Sequence, residues 1–256
     1  MIDLAPDLSL TEVLADHREH RATNLAVVDG QTRLTNRELA DRVWALAAAL
    51  RALGLSVNDR LLWLGGGSFR LLECLLAATQ VGAVTCPVAT WRSEDELGGI
   101  VADCAPSVVL CDGAVDANVG ALRCAVRIRY DVADGYEALL RSYRSGPAAD
   151  VAVSRNAPVL MLYPPMIAGC PVGVQVSRSA LIAESVEVAL RSNTKTAQRP
   201  VVVGNMDDIA SVVAALAAIL AGTTINISTS SSFQLPADDQ DIATVVGLPR
   251  RRVPHS

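Results

Sequence analysis

Arg60-Leu61-Leu62-Trp63-Leu64-Gly65-Gly66-Gly67-Ser68-Phe69-Arg70-Leu71-Leu72 is the stretch whose reading decides the fold. Its first five residues are almost continuously apolar, the pattern of a strand buried on both faces inside a helix-covered sheet. Three glycines break that run, Ser68 supplies an N-cap, and apolar residues recur at helical spacing as far as Gly82. Ala83-Val84-Thr85-Cys86-Pro87-Val88 reads as the following strand. Two strands joined through a helix in this way make a βαβ unit, and such units build parallel sheets.

Toward the N-terminus, Val27 to Leu34 reads as a hairpin turning at Asp29-Gly30, with Thr35 and Glu38 spaced as a capping box. Leu39, Val43, Leu46, Leu50 and Leu53 then recur helically until Gly54. Toward the C-terminus, a helix from Ser93 to Asp103 and strands at Ser107–Cys111 and Cys124–Ile128 continue the alternation. Turn formers from Ser145 to Asp150 mark a surface connection. Beyond it, strands are predicted at Pro158–Tyr163, Pro200–Gly204, Thr223–Ser228 and Ala243–Gly247, with helices at Ser179–Arg191 and Met206–Ala221. The predicted fold class is α/β with helix-covered, largely parallel sheets, in two α/β segments, 1–150 and 151–256.

Composition narrows the function classes. A hydrophobic content of 51% over 256 residues supports a large core rather than a disordered chain. Net charge −5 offers no positive field for nucleic acid, and the one dense basic cluster, Arg250-Arg251-Arg252, reads as a solvated tail. The acidic start, Met1 to Asp7, lacks the basic and apolar regions of a secretory signal, so a cytoplasmic location is expected. The run from Ile209 to Gly222 falls short of the roughly 20 residues of a membrane span and reads as a buried helix. Six cysteines without a C-x-x-C pair, most of them inside apolar segments, read as small hydrophobes in a reducing compartment.

Chemistry-bearing residues are sparse. His17 and His20 share a helix but have no nearby partners to complete a metal site, so both are expected on a solvated face. Gly65-Gly66-Gly67 stands where Gly-rich loops hold phosphate, yet it matches neither standard phosphate-loop pattern and reads as a flexible strand-to-helix turn. No Ser–His–Asp set and no G-x-S-x-G elbow occur. Asp207-Asp208 opens a helix and Asp238-Asp239 lies in a polar loop, positions that suit carboxylates without catalysis.

Several segments resemble the N-terminal domain of AMP-binding, adenylate-forming ligases, and fatty-acyl-CoA synthetases above all. Leu34-Thr35-Asn36-Arg37-Glu38-Leu39 resembles that family's LTYAEL, and Leu53 to Arg60 its LGVxxGDR. Ser68 to Glu73 and Gly82 to Val88 resemble NSxxxxExxLAAxxxGAVxxPxN, and Trp91-Arg92 with Glu94, Glu96 and Leu97 extends the match. The resemblance implies ATP-dependent activation of a carboxylic acid, with ATP and Mg2+ as cofactors by resemblance only. The family's phosphate loop, Y-T-S-G-T-T-G-x-P-K-G, falls on Tyr163 to Gly173, where Tyr163, Gly169, Pro171 and Gly173 keep the frame. Pro164 and Pro165 replace Thr and Ser and delete two N–H donors, Met166 and Ile167 replace small or hydroxyl residues, and Val172 replaces the lysine. No bound cofactor is therefore expected, and no catalytic residue is assigned. The family's aromatic-histidine motif falls on Asn205-Met206-Asp207-Asp208, with Asp208 at the histidine. The chain ends at Ser256, ahead of the family's ribose-binding aspartate and C-terminal domain, so either an inactive module with a protein partner or self-association through an exposed core face, or a decayed gene fragment with no retained role, is expected.

Overall fold

A computed structural model describes residues 9–113, 126–143, 151–164, 170–193 and 200–228. In chain order these form α1 (Leu10–His20), β1 (Leu25–Asp29), β2 (Thr32–Thr35), α2 (Asn36–Ala52), β3 (Arg60–Leu64), α3 (Phe69–Val81), β4 (Val84–Val88), α4 (Glu94–Cys104) and β5 (Val108–Cys111). There follow β6 (Val126–Arg129), α5 (Tyr136–Ser142), β7 (Pro158–Leu162), β8 (Val174–Ser177), α6 (Arg178–Asn193), β9 (Val201–Val203), α7 (Ile209–Ala221) and β10 (Ile225–Ile227). The α/β class is as expected. The strands form two mostly parallel sheets, one ordered β2-β1-β10-β9 and the other β6-β5-β3-β4-β7-β8. Each sheet takes strands from both sides of residue 150.

The apolar run of β3 is divided between two cores. Leu61 and Trp63 face one hydrophobic cluster with Val108 and Leu110 of the neighbouring strand, whereas Leu62 and Leu64 face another with Val109 and Cys111. Alternation is thus present in space although both phases are apolar, as burial on two faces requires. The second cluster is closed by Leu97, Ile100, Val101 and Cys104 of α4. The larger one takes in α2, α3 and α7, and α3 touches β1 of the first sheet as well as β3, β4 and β7 of the second. Lying between two sheets, α3 has no solvent side: every residue from Leu71 to Val81 is buried.

Local signals act as expected at most boundaries. Thr35 and Glu38 form a reciprocal capping box, the Thr35 N–H donating to Glu38 Oε2 at 2.8 Å. Ser68 and Ser93 cap α3 and α4, and Gly82 ends α3 in the left-handed region at φ 79°. The helix predicted from Met206 starts only at Ile209, because Met206 takes φ 55° and Asp208 is the N-cap, its Oδ1 accepting from Ser211 N–H at 2.9 Å. The apolar stretch after it is a buried helix, with Ser211 to Ile219 all buried. Among the described residues no helix is long and apolar enough to cross a membrane. The strand predicted from Cys124 is observed from Val126, and the one predicted at Ala243–Gly247 lies outside the described residues. The short α5 and the antiparallel β8 were not marked by any strong periodicity.

His17 corrects the expectation of a solvated face. It is buried, at 6% exposure, where α1 approaches the end of α7 near Gly222. Burial lowers its pKa from the ordinary value of 6.5, with Arg21 adding to the effect and Asp16 opposing it. A histidine with a depressed folded pKa contributes stability above its unfolded pKa and loses it as pH falls through the folded one. Acidification from pH 7 toward 5 should therefore lower the urea midpoint, and His17→Phe should flatten that slope. An unchanged slope in the variant would show that other groups cause the loss.

Candidate functional site

In open α/β sheets, ligands meet the chain at the carboxyl ends of parallel strands, where successive loops converge. Here four such loops come together. Gly65-Gly66-Gly67 follows β3, Ala89 to Arg92 follows β4, Tyr163 follows β7, and Gly204 to Asp208 follows β9. The β3 and β9 loops are in direct contact: Gly67 N–H approaches Asn205 Oδ1 at 3.5 Å. A Cβ on residue 67 would lie 2.7 Å from Asn205 Cα and even nearer the Gly204 carbonyl, so glycine is required by close approach of two backbones. The β4 and β7 loops are joined by Arg92, whose Nη2 donates to the Tyr163 carbonyl.

The N-terminus of α3, the potential phosphate seat behind the glycines, already holds the protein's own acceptors. Phe69 N–H donates to Asp29 Oδ2 at 3.0 Å and Leu71 N–H to Ser68 Oγ at 3.4 Å. The glycines thus serve as the tight turn, and the side-chain carboxylate of Asp29 stands where an anion would gain from the helix end.

The β7–β8 connection carries the residues singled out in the sequence. Tyr163 is buried and its hydroxyl donates to Asp103 Oδ2 at 2.9 Å, while Gly173 N–H donates to the same oxygen at 3.0 Å. One carboxylate of α4 therefore tethers both ends of the loop. Burial and that carboxylate push the Tyr163 phenol well above its ordinary range, so it stays protonated. Pro171 lies against Gly99, where a Cβ would come 2.7 Å from Pro171 Cδ, and Gly173 is packed on Met161. Gly169 lies outside the described residues. Val172, which the family resemblance sets at the lysine position, is 66% exposed and brings no charge to the loop.

Asp207 and Asp208 separate in role. Asp208 caps α7, its Oδ2 also accepting from Ser211 Oγ at 2.7 Å. Asp207 is half-buried, and burial raises its carboxyl above the usual range, with Asp208 adding to the rise and Arg92 opposing it. Asp103 carries no mark in the sequence, and Asn205 is marked there only as part of the Asn205-Met206-Asp207-Asp208 motif, because each acts over a long sequence separation, onto Gly173 and Gly67 respectively. Arg92 was visible only as part of the Trp91-Arg92 pair.

This layered arrangement of two sheets, with loops converging at strand ends, is that of the N-terminal domain of adenylate-forming enzymes. The model of the AMP-binding enzyme family matches residues 14–245, and the chain belongs to that family. Relatives include indoleacetate–CoA ligase of Aromatoleum aromaticum, 31% identical over 185 residues, covering 68% of this chain and 36% of that protein. Feruloyl-CoA synthase of an Amycolatopsis species is 29% identical over 230 residues, covering 88% and 45%. Long-chain-fatty-acid–CoA ligase of Thermus thermophilus is 32% identical over 178 residues, covering 66% and 32%. The chain spans less than half the length of these curated relatives. Among solved structures, VinN with L-aspartate superposes with TM-score 0.77 at 19% identity, covering 88% of this chain and 63% of that one. The inhibitor-bound N-terminal domain of FACL13 from Mycobacterium tuberculosis gives 0.75 at 21%, covering 88% and 58%. These likenesses establish the fold.

Proposed function

We propose that this chain is an acyl-CoA-ligase-like module of fatty-acid metabolism, cytoplasmic and without ATP-dependent activity of its own. Its relatives activate carboxylic acids as CoA ligases, which supports an ancestry in acid activation with ATP and Mg2+. The observation that carries the loss is the β7–β8 connection. Phosphoryl chemistry rests on positioning and charge neutralisation. Pro164 and Pro165 supply no N–H at two of its positions, Val172 supplies no cation, and the helix end behind Gly67 is met by Asp29. The residues present do not fit a triphosphate, and no step is derived through one.

Thermal denaturation with Mg-ATP tests this. A competent site at a hundredfold excess over its dissociation constant would stabilise the fold by about 2.7 kcal/mol. The expected result is no saturable rise for the natural chain and a measurable rise for the combined Pro164→Thr, Pro165→Ser, Val172→Lys variant. A saturable rise for the natural chain would overturn the reading.

A second reading, a non-catalytic interaction module, is favoured by an open apolar groove of about 480 Å3 lined by Val176, Leu181, Val188, Ile209 and Val213, with Glu184 the charged residue on its wall. Leu190 on the same helix is 64% exposed. Apolar surface of this kind suits a protein partner or self-association. Light scattering after sizing chromatography decides the latter, since a monomer across a hundredfold concentration range would exclude it.

A further inference from the structure

We propose that the groove between α6 and α7 is a docking site for a basic amphipathic helix of a partner protein. This rests on the interaction-module reading above and names the chemistry of the partner. Val176 of β8, Leu181 and Val188 of α6, and Ile209 and Val213 of α7 supply the apolar lining. Ala180 and Val188 lie eight positions apart along the α6 wall, about 12 Å of helix and a little over two turns. A partner helix of similar length sets apolar residues at i, i+3, i+4 and i+7 into such a groove. The lining also gains by being covered. Ile209 opens α7 directly after its Asp208 cap and is 42% exposed, so an apolar side chain at the mouth of the groove stands partly in water.

Charge chooses among occupants. Glu184 stands on the wall with no ion-pair partner among the described residues, whereas Glu187 on the next turn is matched by Arg191. Asp208, exposed at the N-terminal end of the opposite wall, adds a second carboxylate. Among the described residues no arginine or lysine lines the groove. A second copy of the chain would bring the same carboxylates to face these, and each copy carries net charge −5. A fatty acid or an anionic lipid surface meets the same repulsion. A helix with lysine or arginine beside its apolar stripe meets attraction instead and pairs Glu184 at the rim, where such charges set partner choice and association rate.

The test titrates the full chain with a fluorescently labelled synthetic peptide of leucine and lysine at helical spacing, and with its leucine and glutamate counterpart, read by anisotropy and 1H–15N NMR. The basic peptide is expected to bind one to one with a dissociation constant on the order of 10–100 μM, to shift amides of residues 180–188 and 209–214, and to weaken as salt rises. Glu184→Lys should weaken it roughly tenfold and Val188→Asp should abolish it. Glu19→Lys, the same change of net charge placed on α1, should leave the affinity within about twofold. Equal binding of the acidic peptide, an undiminished response in Glu184→Lys, shifts confined to other elements, or silence toward the basic peptide overturns the proposal. Glu184→Lys decides if Val188→Asp does not fold. Light scattering and sedimentation with phosphatidylglycerol vesicles separate the other occupants: a dimer or a vesicle attachment that Val188→Asp abolishes, without peptide binding, overturns the basic helix. A dimer of that kind leaves the interaction module standing, whereas a monomer silent toward both peptides overturns the module as well.

Discussion

Replacing Arg42 by methionine is expected to lower the unfolding free energy by about 3–5 kcal/mol, read as a large fall in the urea midpoint at unchanged slope. Glu73 of α3 is the reason. It is fully buried between the two sheets, and Arg42 of α2 holds it with Nε at 2.5 Å and Nη2 at 3.2 Å. Tyr136 of α5 adds a hydroxyl at 2.6 Å. The same guanidinium reaches Glu137 at 2.8 Å and 3.0 Å, and Arg70 joins Glu137 from α3. Desolvation pushes the Glu73 carboxyl up and Arg42 pulls it back; without the arginine, the carboxylate must be protonated or the seam between α2, α3 and α5 must open. The double replacement Arg42→Met, Glu73→Leu should recover most of the loss, because an apolar pair leaves no buried charge. A single-variant loss below about 1 kcal/mol would place the network among ordinary surface pairs.

Gly67→Ala is expected to cost about 1–3 kcal/mol, the range for forcing atoms into filled space. The added methyl meets backbone, the Gly204 carbonyl and Asn205 Cα, rather than a side chain that can turn aside. The β3 and β9 loops must then separate. Because these loops belong to different sheets, heteronuclear NMR should show shifts at Gly204 to Asp208 even though the substitution is far away in sequence. Gly66→Ala is the control: the nearest atom to its Cβ is Asn205 Oδ1 at 4.0 Å, and its effect should stay near zero. Equal losses at the two positions would refute the close-approach account.

The fold was legible wherever one signal acted over a few residues. The five-residue run at Arg60–Leu64, the Thr35/Glu38 box and the Ser68 and Ser93 caps each encode their own element. Where two signals competed, the cap prevailed: Asp208 and the φ of Met206 delay to Ile209 a helix expected from Met206. The site was less legible. That Val172 brings no charge can be read in the sequence, because the family resemblance frames its position. The tether of Tyr163 and Gly173 by Asp103 cannot, since α4 lies about 60 to 70 residues upstream and nothing in its own periodicity distinguishes that carboxylate. His17 failed for a similar reason: its cover is the end of α7, some 200 residues later.

The register of the smaller sheet also bears on synthesis. The β1–β2 hairpin pairs with β10, Val27 opposite Ile225, and Thr224 Oγ1 donates to the Leu25 carbonyl across 199 positions of sequence. At a translation rate of roughly 5–20 residues per second, the hairpin emerges roughly 10–40 s before its partner strand exists. Throughout that interval one side of β1 presents unsatisfied main-chain groups, the kind of edge that recruits foreign strands. For a nascent chain the interval of risk is accordingly set by ribosome speed rather than by the folding rate of the finished chain.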